Sequence, residues 1–146
     1  MEHQFSEREQ IVQTCNRLYY HTDHRDWSSL LDLVFDEEVH FDMTSLGAAE
    51  AVMMEAKKIC DMWEEGFAGL DAIHHQGGNY IVTLEGEKAH VKAYAIATHF
   101  REAATAGKTR TFVGSYDLGL QKKENGWRIN AFKYNLKYMD GNIDLV

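Results

Sequence analysis

The spacing of apolar residues changes once along the chain, after Gly69. Before that point, apolar residues recur every three or four positions, as in amphipathic helices. After it, apolar and polar residues alternate, as in strands with two different faces. Helices that precede a run of consecutive strands predict an α+β fold, because parallel βα units would interleave the two. With 146 residues and no linker-like segment, we expect a single domain, 1–146.

The first half of the sequence predicts three helices and one strand. Ser6 and Glu9 have the spacing of a capping box, which marks the start of the first helix. The clearest helix carries a stripe of apolar residues at helical spacing: Val52, Ala56, Ile59 and Trp63. The predicted helices are 6–21, 27–33 and 48–65, and the predicted strand is 35–43.

The second half predicts an antiparallel meander. Asn125-Gly126 is a strong hairpin signal, and it joins the last two of four strand-like segments. We therefore expect the three helices to pack on a strongly curved, mainly antiparallel sheet. The four segments are 73–85, 88–102, 110–123 and 126–138.

Apolar residues occur on both faces of these strands. Helices cover only one face of a sheet, so the outer face needs another cover. Association with further copies of the chain is the simplest one, and we expect a homo-oligomer, a dimer or a trimer. The alternation assigns four residues to this outer face: Tyr80, Val82, Tyr94 and Ile96.

Charge and hydropathy exclude several partners. The net charge is −8, and the 15 basic residues are scattered, so nucleic acid is not an expected partner. No apolar segment reaches the roughly 18 residues of a membrane helix, so no membrane contact is expected. Residues 1–7 lack the pattern of a secretion signal, and Cys15 and Cys60 lie in helix-like apolar patterns, as buried free thiols would. These features favour the cytoplasm.

The segment 72–82, Ala-Ile-His-His-Gln-Gly-Gly-Asn-Tyr-Ile-Val, places polar residues at the head of an apolar strand. On a strand, His75 and Asn79 face the same way and His74 faces the opposite way. Adjacent histidines therefore cannot easily bind one ion, and neither His-x-His nor Cys-x-x-Cys occurs. We expect no metal site.

Acid–base chemistry remains for this segment. Histidine is the side chain best suited to it near neutral pH, and a hydrogen-bonded carboxylate would fix its tautomer. Asp23 and Asp117 are the candidate partners of His75. The simpler interpretation is that His75 is structural and that Asp23 caps a helix.

Other side chains are candidates for binding a ligand. Tyr20 lies near the end of the first helix, Asn79 shares a strand face with His75, and His99 ends the alanine-rich face of the next strand. Trp63 falls on a helical stripe, where it could serve the core, a ligand or both. Two further candidates lie in the last two strands: Tyr116 and Tyr134.

Several segments in order resemble the SnoaL-like branch of the nuclear-transport-factor-2-like superfamily. The longest is Leu-Tyr-Tyr-His-Thr-Asp-His-Arg-Asp-Trp-Ser-Ser-Leu-Leu-Asp-Leu-Val. His-His-Gln-Gly-Gly-Asn, Gly-Ser-Tyr-Asp-Leu-Gly-Leu and Gly-Trp-Arg-Ile follow it. The segments lie at 18–34, 74–79, 114–120 and 126–129.

The resemblance implies an α+β cone around a pocket, without a cofactor. It extends to relatives such as scytalone dehydratase and hexachlorocyclohexane dehydrochlorinase. Their acid–base pair matches Asp23 and His75. The late-strand arginine of the dehydrochlorinase has no clear match, since Lys133 and Tyr134 stand in that region.

Two functions follow as expectations. In the first, the protein is a cofactor-independent lyase or isomerase whose Asp23–His75 pair removes a proton from a small hydrophobic or cyclic substrate. In the second, the same fold is a non-catalytic domain that binds a small ligand or dimerises.

Overall fold

The computed structural model describes residues 4–146, which form three α-helices and six strands. Residues 1–3, part of the segment examined for a secretion signal, lie outside the described residues. The helices are α1 Glu7–Asp23, α2 Trp27–Ser29 and α3 Ala56–Phe67, and α2 continues into a π-helical turn, Leu30–Val34. The strands are β1 Phe35–Asp42, β2 Val52–Glu55, β3 Ala72–Glu85, β4 Lys88–Phe100, β5 Thr109–Lys123 and β6 Gly126–Gly141.

The six strands form one mixed sheet in the order β2-β1-β6-β5-β4-β3. Neighbouring strands are antiparallel except β1 and β6, which are parallel. The sheet is curled like a cone, and the three helices pack on it. The predicted α+β fold is therefore confirmed. Among residues 4–146, no helix combines the length and apolar character needed to cross a bilayer.

Helix α1 begins and packs as its sequence predicts. The Ser6 backbone N–H donates to Glu9 Oε2 at 2.7 Å, and the Glu9 N–H donates to Ser6 Oγ at 3.2 Å. These two bonds complete the capping box. The buried face of α1 carries Ile11, Cys15, Leu18, Tyr19 and Thr22. Cys15 and Cys60 are both buried and free, as expected.

The third helix starts later than the predicted 48. Residues Val52–Glu55 form β2, which pairs with β1, so that Val52 lies opposite Phe41. The backbone groups of this segment are used in the sheet, and the helix begins only at Ala56. Ala56 and Ile59 are buried, while Trp63 is half-buried against the core.

A bulge in β3 overturns part of the predicted outer face. The register with β4 breaks between Gly78 and Ile81, and Asn79 has a φ of 57°. An extra residue in one strand reverses the faces of the residues that follow it. Tyr80 and Val82 consequently pack against the core, and Ile81 is 65% exposed. Tyr94 and Ile96 are exposed, as predicted.

The two adjacent glycines of β3 have different surroundings, which predicts that alanine destabilises the protein at one position and not at the other. A Cβ at Gly77 would lie 2.2 Å from Cε2 of the buried Tyr19 ring, whereas a Cβ at Gly78 would meet nothing within 4 Å. Gly77→Ala is expected to lower the free energy of unfolding by about 1–3 kcal/mol through overpacking. Gly78→Ala is the matched control, and its free energy of unfolding should stay within about 0.5 kcal/mol of the wild-type value. Urea unfolding measures both, and equal midpoints for the two variants would contradict the close contact.

Candidate active site

A cavity of about 220 Å³ lies between the helices and the sheet. Its walls are mainly aromatic and aliphatic, with two histidines and three tyrosines as the main polar groups. The lining residues are Leu18, Tyr19, Thr22, Met43, Leu46, Trp63, Phe67, His75, Ala97, His99, Phe112, Tyr116, Phe132 and Tyr134. A concave, mainly apolar site with a few polar groups is typical of small-molecule binding.

A larger groove of about 1260 Å³ lies elsewhere. It is more open, and it is lined largely by charged side chains such as Asp32, Glu38 and Lys57. It contains none of the candidate site residues. The smaller cavity is therefore the candidate active site.

Asp23 and His75 form a hydrogen-bonded pair at this cavity. Asp23 is the last residue of α1, and its carboxylate reaches β3. Asp23 Oδ1 lies 2.6 Å from His75 Nδ1, and Asp23 Oδ2 accepts the His75 backbone N–H at 2.8 Å. A carboxylate only accepts, so Nδ1 carries the ring proton and Nε2 is the ring nitrogen left to accept from a ligand. The contact predicted between Asp23 and His75 is thus present.

Neither His74 nor Asp117 lines the cavity. The His74 side chain is 70% exposed, which confirms that it faces away from His75. Asp117, the alternative partner, accepts from Asn135 Nδ2 at 2.8 Å and lies 3.2 Å from His90 Nε2. The side chain of Asp117 is therefore engaged away from His75.

His99 lines the same cavity. It is 7% exposed, and its ring centroid is 5.5 Å from that of Phe67 and 5.1 Å from that of Phe112. Arg110 Nε donates to His99 Nδ1 at 3.1 Å. Burial, with the nearby Arg110 charge, lowers the pKa of His99 to about 4. His99 is consequently neutral near pH 7.

Two tyrosines supply further donors. Tyr116 and Tyr134 are buried, with ring centroids 5.0 Å apart. The Tyr134 hydroxyl has no hydrogen-bond partner within residues 4–146. Burial raises the pKa of Tyr134 to about 12 and also raises the pKa of Tyr116, so both phenols stay protonated. A buried phenol without a partner is a natural contact for a polar ligand atom.

Two of the candidates for ligand binding, Tyr20 and Asn79, do not line the cavity. Tyr20 is 62% exposed, and its ring stacks on His24. Successive residues on a helix point about 100° apart, so Tyr19, and not Tyr20, turns into the cavity. Asn79 is exposed because the β3 bulge rotates it away from the face that carries His75.

Trp63 serves both roles that its position allowed. The centroid of its ring lies 6.0 Å from that of the Phe35 ring and 5.7 Å from that of the Phe132 ring. Trp63 also lines the cavity. In the described part of the chain, no three His, Cys, Asp or Glu side chains gather where they could hold a metal ion.

Sequence reasoning did not point to Tyr19, one of several further residues that line the cavity, or to Arg110, which bonds to the cavity residue His99. The signal for Tyr19 was present, because it falls on the apolar stripe of α1 with Cys15. Arg110 carries no such signal. An arginine at the start of a strand is usually expected on the surface. The role of Arg110 becomes apparent only when its cross-strand partner is known to be His99.

A curled α+β sheet with a cavity, and an Asp–His pair at the wall of that cavity, defines a class of small cone-shaped domains. The chain belongs to the SnoaL-like domain family, whose model matches residues 3–133.

Solved structures share this fold. The Kfla4162 protein from Kribbella flavida is 22% identical, with a TM-score of 0.89 over 95% of each chain. A proposed scytalone dehydratase from Novosphingobium aromaticivorans is 15% identical, with a TM-score of 0.75 over 92% of this chain and 86% of that one. The type 3 hexachlorocyclohexane dehydrochlorinase LinA from Novosphingobium barchaimii is 10% identical, with a TM-score of 0.77 over 92% and 88%. No curated protein matches the sequence.

Proposed function

We propose that the protein is a cofactor-independent enzyme of the lyase or isomerase type. Its His75 would remove a proton from a carbon atom of a small hydrophobic or cyclic substrate. The Asp23–His75 hydrogen bond at the wall of the cavity is the observation that carries this proposal.

The pair has the arrangement that a general base needs. Asp23 holds the ring with Nδ1 protonated, so the basic Nε2 is the nitrogen available to a substrate. Asp23 also stabilises the imidazolium that forms when Nε2 takes a proton. Its second oxygen, bonded to the His75 backbone N–H, fixes the carboxylate relative to β3.

The rest of the cavity suits the carbanion that proton removal leaves behind. Negative charge develops on the substrate, and neutral hydrogen-bond donors aimed at that charge stabilise it. Tyr116, Tyr134 and His99 are the candidate donors. The apolar walls lower the local dielectric constant, which strengthens each of these interactions.

The names of two similar structures agree with this chemistry. A dehydratase and a dehydrochlorinase both catalyse eliminations. In each case a proton and a leaving group depart from the substrate. At such low sequence identity, the similarity to these structures supports a shared fold and not a shared reaction. The support for the reaction type comes from the Asp23–His75 geometry.

The proposal is tested by hydrogen exchange at carbon, which needs no knowledge of the product. The protein is incubated in D₂O with a panel of cyclic ketones, such as cyclohexanone and indanone, chosen to fit a cavity of about 220 Å³. Mass spectrometry then follows deuterium entering the α-carbon above the uncatalysed rate. Compounds that raise the melting temperature without exchanging would instead indicate a binding domain.

We also propose that the protein is a homo-oligomer assembled through its outer sheet face. Ile81, Tyr94, Ile96 and Tyr138 are about half exposed or more. Light scattering at micromolar concentration should report a mass above that of one chain, and Ile96→Lys should reduce it. Met62→Lys changes an exposed methionine on α3 and serves as the control. A wild-type monomer would refute the assembly.

A further inference from the structure

Arg110 and His99 are paired across two neighbouring strands. They lie directly opposite each other on β5 and β4, and Arg110 Nε donates to His99 Nδ1 at 3.1 Å. A guanidinium has donors and no acceptor. His99 Nδ1 must therefore be the acceptor, and the neutral ring carries its single proton on Nε2.

The guanidinium is itself held in place. Arg110 Nη1 donates to the Ile143 carbonyl oxygen at 3.1 Å, and Cζ lies 5.6 Å from the centroid of the Phe112 ring. The charge of Asp144 also acts on Arg110. A donor fixed by several contacts fixes the tautomer of the ring that it binds.

The two histidines of the cavity therefore have opposite hydrogen-bonding character. His75 lies opposite Ala97, and His99 is two residues further along β4, so both rings project from one face. Such diagonal neighbours are about 7–8 Å apart at Cα. Asp23 leaves His75 with an acceptor at Nε2, and Arg110 leaves His99 with a donor at Nε2.

We propose that Arg110 is a positioning residue that fixes His99 as a neutral N–H donor toward an acceptor oxygen of the substrate. The role during turnover rests on the proposed function of His75. As His75 Nε2 takes the proton, the C–H electron pair forms a C=C bond and the carbonyl π pair moves to oxygen. That oxygen accepts the hydrogen bond from His99 Nε2–H, and the ring keeps its proton.

The tautomer of His99 is measured directly by ¹⁵N NMR of the histidine rings in the free protein. We expect a protonated Nε2, an unprotonated Nδ1 and a pKa of about 4 in the wild type. The charged groups that act on the ring are Arg110 from β5, His75 from β3 and Asp23 from α1. Arg110→Ala should raise this pKa by about one unit. It should also let the ring proton of His99 occupy either nitrogen. Arg110→Lys keeps the charge and a donor, and should restore part of the wild-type behaviour.

Arg101→Ala is the matched control. Arg101 donates to the Leu145 carbonyl at 2.8 Å, so it holds the same final segment of the chain without bonding to His99. If Arg101→Ala changes the pKa and the tautomer of His99 as much as Arg110→Ala does, the effect is structural and the proposal fails. It also fails if wild-type His99 carries its proton on Nδ1. Neither result depends on turnover, so each is distinct from failure of the proposed function.

The donor role toward a ligand is tested with cyclohexanone and methylenecyclohexane, which have nearly the same shape. Only the ketone has an acceptor oxygen, so only it should shift the His99 Nε2 and Hε2 resonances. An equal response to both probes, including no response, overturns the donor role. With a compound that exchanges, Arg110→Ala should lower kcat by roughly 10–100-fold.

Discussion

Replacing His75 by alanine is expected to lower the rate of deuterium exchange by about 10²–10⁴-fold. No other described group has the same arrangement, with one ring nitrogen bonded to Asp23 and the ring lining the cavity. The loss should appear in kcat, because the base acts in the chemical step. Mass spectrometry of the α-carbon deuterium measures the rate, and circular dichroism establishes that the variant is folded.

The neighbouring residue provides the control. His74→Ala removes a histidine whose side chain is 70% exposed and whose Nδ1 is 4.0 Å from Asp23 Oδ2. It should leave exchange nearly unchanged. Wild-type exchange by His75→Ala, or equal losses in both variants, would remove His75 from the role of base. Asp23→Asn should give an intermediate loss, because the amide can no longer accept from both the ring and the backbone of His75.

Helices α1 and α3 and the four long strands are visible in the sequence because each extends over several repeats of its period. The period changes at Gly69, and the Asn125-Gly126 turn is local, so neither depends on tertiary structure. β2 is different. Its four residues, Val52–Glu55, are too few to display alternation, and Val52 also stands four positions before Ala56, which extends the helical pattern.

The site was partly predictable from the family resemblance, and not from local periodicity. Asp23 and His75 are 52 positions apart, and no local pattern brings them together; the family resemblance pointed to them. The error at Asn79 came from a bulge, which reversed the faces of Tyr80 and Val82. Gly-Gly-Asn was the available hint, since these residues tolerate the left-handed backbone that Asn79 adopts. Arg110 could not be found without the register of β4 and β5.

The burial that makes His99 a neutral donor also makes the fold sensitive to acid. Its pKa is about 4 in the folded protein and about 6.5 ordinarily. Between these values the unfolded chain binds a proton that the folded chain does not, so stability falls as pH falls. Above pH 6.5 both states are neutral at His99, and below pH 4 both are protonated. The loss is therefore confined to this window and amounts to about 3 kcal/mol in total.

His99→Gln isolates this effect from the protonation of carboxylates. Glutamine does not titrate, and its side-chain oxygen can still accept from Arg110 Nε. Urea unfolding between pH 7.5 and pH 4 should show a shallower loss of stability for the variant than for the wild type, by about 3 kcal/mol over the window. The carboxylates are common to both proteins, and their contribution cancels in the difference. Parallel curves would mean that His99 is protonated as readily in the folded protein as in the unfolded chain, and a neutral donor at this position would then be untenable.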